Sequence, residues 1–177
     1  VLMLAKVYLG GEVVPVKQAK KLTEDQREFQ VAIKDAYDDM KLNNLDDPNV
    51  RRAYEELAAE ILSQWKGITA KVEIYKDFDS GEPYSGSKAM RRDMNNENHL
   101  FIYQTIPDQF GPPGVVYDDH PLLRPAIIDG KQVTDINGEP MLINDVFRAV
   151  HDYYAHGLST AQFGVLGEEA AWANHMA

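Results

Sequence analysis

The chain has no cysteine, which excludes disulfides, thiolate metal sites and cysteine nucleophiles. No apolar run approaches the ~18 residues that would suggest a membrane span. Positive charge is short: 18 Lys and Arg against 28 Asp and Glu leave a net charge of -10. That balance argues against nucleic-acid backbones and anionic membranes as main partners, and Arg91-Arg92 is the only seed of a basic patch. No Gly-rich phosphate loop is present, since Gly10-Gly11 and the Gly-Pro-Pro-Gly of 111–114 read as turns. His-Glu-x-x-His is absent, so zincin-type proteolysis has no support. There is no internal repeat, no low-complexity tract and no sign of an organic cofactor. The apolar start lacks the basic region and cleavage site of a signal peptide. The first residue is not Met, and the last residues fall inside an uncapped helical pattern. Both ends lead us to expect a piece of a longer polypeptide.

What is there fits one domain spanning residues 1–177: a helical part over 1–68 and a motif-bearing part over 69–177. The 44% apolar fraction supports a core. Residues 2–9 read as a strand or anchoring segment. Thr23-Glu24-Asp25-Gln26 is a capping box, followed by Phe29, Ala32, Ile33, Ala36, Tyr37 and Met40 at helical spacing. Asp47-Pro48 starts a second helix, with a stripe from Val50 through Trp65 and an end at Gly67. The two helices are expected to pack on each other, antiparallel. Residues 71–75 and 100–104 read as strands, and 126–133 as a hairpin with a primed Asp129-Gly130 turn. Five prolines mark a long loop over 106–125. Ser87 is a candidate cap for a short helix, and Asn137-Gly138 for a turn. The expected class is α+β: an N-terminal helical pair, a small antiparallel sheet and a C-terminal helical hairpin.

Three of the five histidines fall in that last hairpin. Asn144 reads as the N-cap of its first helix, which carries Arg148, His151, Asp152 and His156. The second helix carries Glu168, Glu169, Trp172 and His175. Asp152 and His156, four apart, share a helix face. His151 and His156, five apart, diverge by roughly 140° on an α-helix. They can serve one ion only if the helix ends or distorts between them, and Gly157 permits an unwound last turn. Glu168, Trp172 and His175 recur on one face. Antiparallel helices would therefore converge Asp152, His156, Glu168 and His175. Imidazole with carboxylate suits zinc, iron, manganese or nickel, with a water-filled position for hydrolysis. The metal candidates are His151, His156, His175 and, from the long loop, His120. The acid/base and anion-binding candidates are Asp152, Glu168, Glu169 and Arg148.

Each has a plainer role beside it. Asp152 and His156 can form a simple i, i+4 pair. His156 complements a helix C-terminus, and Glu168 and Glu169 an N-terminus. Trp172 reads as core, and His99 as a turn residue. Arg148 can pair with Asp152, or bind an anion if Asp152 turns inward. Asp118, Asp119 and His120 can simply be a solvated acidic loop.

The run Asn-Asp-Val-Phe-Arg-Ala-Val-His-Asp-Tyr-Tyr-Ala-His at 144–156, with Gly-Glu-Glu-Ala-Ala-Trp at 167–172, resembles an uncharacterised bacteriophage domain. That domain occurs inside large polyvalent phage polypeptides and as stand-alone phage proteins. Pro83-Tyr84, Met90, Asp93, the strand at 100–105 and His120-Pro121-Leu122-Leu123 fit the resemblance, which covers about residues 70–177. The first two helices lie outside it, and Ala155 stands where the family pattern has Gly. The resemblance implies phage origin, a place in the virion or the infected bacterial cytoplasm, and a site centred on the motif. Two functions are expected from the whole. One is a metal-dependent hydrolase acting on a small molecule, nucleotide, phosphoester or peptide. The other is a phage structural or host-interaction module, with a phage or host protein as partner, in which the motif is a buried polar network.

Overall fold

A computed structural model of the chain describes residues 17, 20–21, 23–39, 45–117, 119–157 and 161–176. The apolar segment at 2–9 lies outside the described residues. Helix α1 (Glu24–Asp38) opens with the expected reciprocal cap: the Thr23 N–H donates to Gln26 Oε1 at 2.9 Å and the Gln26 N–H to Thr23 Oγ1 at 3.3 Å. Helix α2 (Pro48–Trp65) starts on Asp47, whose carboxylate accepts the Asn49 N–H at 2.8 Å. The mutual packing expected of this pair is not realised. Phe29 is 63% exposed and Ile33 52%. Instead Gln26 and Gln30 of α1 donate to Glu169 near the C-terminus, each at 3.5 Å. Periodicity fixes which residues share a face, but not what covers it.

Strands β1 (Lys71–Tyr75) and β2 (His99–Tyr103) pair in parallel, with Val72 beside Leu100 and Ile74 beside Ile102. This corrects the expected antiparallel sheet. Helix α3 (Ser87–Asn96) lies between the strands in sequence, and such a crossover returns the chain to run in the same direction. The third segment forms its own short ladder, β3 (Ile127–Ile128) with β4 (Lys131–Gln132), antiparallel. Its turn has Asp129 at φ 51 and Gly130 at φ 77, the primed geometry that Asp-Gly favours. Mixed α and β elements thus hold as expected, but the sheet is not one unit. Among the described residues no helix is long and apolar enough to cross a membrane.

Helix α4 (Ile143–Val150) begins two residues earlier than Asn144 suggested, with Leu142 as N-cap. Asp145 makes this possible. Its carboxylate accepts the Leu142 N–H at 2.8 Å and the Thr105 N–H, from beyond β2, at 2.7 Å. Asn144 donates to Thr105 Oγ1 at 3.0 Å. Helix and strand end are thereby fixed together. Val146, Ala149 and Val150 are fully buried, in one core with Ala58 and Ile61 of α2, Leu100 and Ile102 of β2, and Met90 and Met94 of α3. Replacing Asp145 by Ala strands two amide donors, one of them deeply buried. Urea unfolding of Asp145→Ala is expected to show a loss of roughly 2–4 kcal/mol, against under about 1 kcal/mol if Asp145 were only a surface acid.

Candidate metal centre

The helix that begins as α4 does not unwind at its end; it widens. Residues His151–His156 form a π-helical segment, and the Gly157 N–H reaches back to the Asp152 carbonyl five residues earlier. Residues five apart then come one turn apart, instead of diverging as in an α-helix. His151 Nε2 and His156 Nε2 lie 3.2 Å from each other. The distortion that the spacing required is present, but its form is a wide turn and not an unwound end.

Two tyrosines inside the segment anchor it. Tyr154 Oη donates to the Gln64 carbonyl at 3.2 Å, and Tyr153 Oη lies 3.1 Å from Thr69 Oγ1. Both are buried. Gly67 leaves room for this: a Cβ there would stand 2.5 Å from the Tyr154 hydroxyl.

Helix α5 (Val165–Met176) packs against the wide turn through small residues: Ala155, Ala161, Ala170 and Ala171 form one buried cluster. Alanines let the two backbones approach closely. At the start of α5, Gly167 lies against the preceding loop, where a Cβ would collide with the Gln162 carbonyl oxygen. The next residue is thereby aimed at the histidines. Glu168 Oε1 is 3.4 Å from His156 Nε2, and Glu168 Oε2 is 3.6 Å from His151 Nε2.

His151, Asp152 and His156 each offer a ligand atom, and these atoms lie within 4.8 Å of one another, a grouping able to hold a metal ion. Ligands on one ion with bonds of ~2.0–2.2 Å stand about 2.8–3.6 Å apart, from octahedral to tetrahedral angles. The separations of 3.2, 3.4 and 3.6 Å among the two imidazoles and Glu168 match that window. His156 is 1% exposed, while Glu168 keeps 49% of its side chain open. Burial pushes the Asp152 carboxyl up to about 7, the Glu168 carboxylate adds to the rise, and the Arg148 guanidinium opposes it. His156 Nδ1 is buried with no hydrogen-bond partner among the described residues. Imidazoles that bind metal through one nitrogen usually donate from the other, and among the described residues no protein group fills that role.

Other expected members go elsewhere. His120 is 1% exposed, edge-on to Tyr54, Phe110 and Tyr117, with ring centroids 4.5, 4.9 and 5.2 Å away. Its Nδ1 accepts the Leu122 N–H at 3.2 Å, capping a short turn. It is a core residue and does not join the cluster. Its neighbour Asp119 is taken by Arg51 and Arg124, at 3.0 and 2.9 Å. Glu169 faces α1 through Gln26 and Gln30. Trp172, expected in the core, is 61% exposed, because the buried face of α5 is its alanine face. The side chain of His175 lies outside the described residues. Arg148 makes no hydrogen bond or close ion pair with a described residue, so the expected link to Asp152 is replaced by the longer-range effect already noted.

One network escaped the sequence reading. His99 is no turn residue; it opens β2, with Nδ1 2.8 Å from Asp93 Oδ2 and Nε2 3.1 Å from Glu73 Oε2. Tyr84 Oη donates to the same Asp93 oxygen at 2.6 Å and accepts the Phe101 N–H at 2.8 Å. Burial chiefly, then the bond to Asp93, raise the Tyr84 hydroxyl above its ordinary value, and Asp152 adds a smaller push. The network thus reaches the electrostatic neighbourhood of the candidate centre. The parallel register sets Glu73 diagonally across from His99, and no local pattern announces it.

Comparison with protein-family models, with curated proteins and with solved structures finds no match.

His120 gives a pH test independent of the cluster. Burial, then the charges of Arg124 and Arg51, hold its imidazole below the ordinary 6.5. The unfolded chain therefore binds a proton that the folded chain refuses, and stability falls as pH drops through 6.5 towards the depressed folded value. Urea unfolding at pH 7.5 and 5.5 is expected to show a smaller pH loss for His120→Gln than for the unaltered chain. Equal losses would show that His120 titrates the same in both states.

Proposed function

We propose that this chain is a phage protein whose C-terminal helices hold one divalent transition metal and that its activity is hydrolytic. The observation that carries the reading is the π-helical turn, which brings His151 Nε2 and His156 Nε2 to 3.2 Å and both to within 3.6 Å of Glu168. Single-turn π-bulges are rare and concentrate at functional sites. The donors suit the ion too: imidazole and carboxylate, without thiolate, accommodate zinc, manganese, iron or nickel. His151, His156 and Asp152 would hold the ion, with Glu168 closing the set or remaining free beside it.

Such an ion, when bound, polarises a substrate oxygen and acidifies water. The protein's own groups have separable tasks. His156, fully buried, fixes the inner side of the site. Asp152, half-buried, supplies a carboxylate that would balance the ion's charge. Glu168 is the most open member of known exposure and is placed to take a proton from water entering beside the imidazoles. Phe163 lies edge-on to His156, ring centroids 5.0 Å apart, and shields that ring on one side.

A phage structural or host-interaction module is the competing reading. In its favour, 3.2 Å is also a hydrogen-bond distance between one protonated and one bare imidazole nitrogen. Metal titration separates the two. Protein stripped with a chelator is expected to take up about one equivalent of zinc, manganese, iron or nickel and to melt at higher temperature with it. His156→Ala should weaken that binding by more than about 100-fold, beyond the ~10–100-fold typical of outer-shell partners. Absence of uptake and of any thermal shift with all four ions would remove the hydrolase reading. Under the structural reading, His151→Ala instead lowers stability by about 1–3 kcal/mol with or without metal.

A further inference from the structure

The candidate centre opens onto a cleft whose walls define a ligand class. A recess of about 190 Å³ is lined by Tyr103, Phe147, Arg148, His151 and Asp152. A larger cavity of about 510 Å³ shares Tyr103, Phe147 and Arg148 with it and continues past Thr105 and Phe110. The three shared residues set the two recesses side by side, with His151 and Asp152 lining the smaller one. The larger part falls within the ~300–1,000 Å³ usual for small-molecule sites.

The walls carry two kinds of chemistry. Among the described residues, Arg148 supplies the only Lys or Arg side chain lining either part. It stands one helical turn from Asp152, yet makes no close ion pair with it. The other described arginines that line or brace the fold are engaged: Arg51 and Arg124 with Asp119, Arg91 with Ser87 and the Ala161 carbonyl. A guanidinium in this position presents a planar fork to an incoming anion. On a chain of net charge -10, an anion needs such a local anchor to enter at all. Tyr103 and Phe147 supply flat aromatic walls at the junction, and Phe110 one farther along. Flat rings stack on such walls with little regard to their identity.

We infer that this cleft binds a phosphate monoester carrying a flat ring, in the manner of a nucleoside monophosphate, with Arg148 holding the phosphate beside the His151–Asp152 end and the aromatic walls receiving the ring. Phosphate suits the position better than carboxylate, because its several oxygens can reach the guanidinium fork and a cation in the centre at once. The phosphate's contact with a cation rests on the metal-dependent reading; its hold by Arg148 and the aromatic walls does not.

The test is calorimetric titration of AMP, CMP, adenosine and inorganic phosphate into the chain and into Arg148→Ala, each with manganese and in chelator. Arg148 is exposed, so its replacement leaves the fold intact, which thermal melting checks. The nucleotides should bind the chain at least tenfold more tightly than adenosine does. Arg148→Ala should erase that advantage while leaving adenosine binding unchanged. Nucleotides that fail to bind, or that bind Arg148→Ala as tightly as the unaltered chain, overturn the inference. Manganese uptake without nucleotide binding overturns this cleft and spares the metal reading. Arg148-dependent nucleotide binding without any metal uptake does the reverse.

Discussion

Between His151 and His156 the backbone is held in a register one residue wider than an α-helix, and the candidate centre exists only because of it. In a continuous α-helix the two imidazoles would diverge by roughly 140°, and Glu168 could meet one of them at most. The wide turn is braced on both sides. Tyr153 and Tyr154 point the other way from the histidines in function: their hydroxyls tie the segment to Thr69 and to Gln64 at the end of α2. On the opposite side, alanines bring α5 close enough for Glu168 to reach both rings. Two glycines protect these approaches, Gly67 under the Tyr154 hydroxyl and Gly167 against the Gln162 backbone. The motif therefore combines donors with the small residues and anchors that present them.

The core beneath explains why this distortion is tolerated. Helix α4 is seated by Asp145, which joins its first turn to the end of β2 through two short hydrogen bonds. Val146, Ala149 and Val150 leave it no freedom to rotate. A helix fixed at its start and tied at Tyr153 and Tyr154 takes up its extra residue over His151–His156. The same seating sets Phe147 and Arg148 beside Tyr103, so the cleft and the cluster share one rigid support.

Much of this was legible in the residues and some was not. The capping box at Thr23, the Asp47 cap, the Asp129-Gly130 turn, the presence of the two longer strands and the convergence of His156 with Glu168 all follow from local pattern and spacing. Local pattern could not show that β1 and β2 run parallel, because two short apolar strands read alike in either direction. Phe29 and Ile33 form a proper stripe, yet nothing in α1 states what would cover it. Trp172 looked like core on composition, but α5 buries alanines instead, and close backbone approach leaves a large ring outside. His120 had the company of acids in sequence and of aromatic rings in space. The spacing of five between the histidines demanded a distortion without naming its kind; only the hydrogen bond from Gly157 to Asp152 identifies it.

The claim on which the account depends is that the wide turn makes His151 and His156 ligands of the same ion. X-ray absorption at the metal edge of the zinc-loaded protein reads this directly. The account predicts scattering from two imidazoles at about 2.0–2.1 Å with oxygen completing the shell, and one imidazole in His151→Ala. A zinc shell with a single imidazole in the unaltered chain, or one unchanged by that substitution, would contradict it.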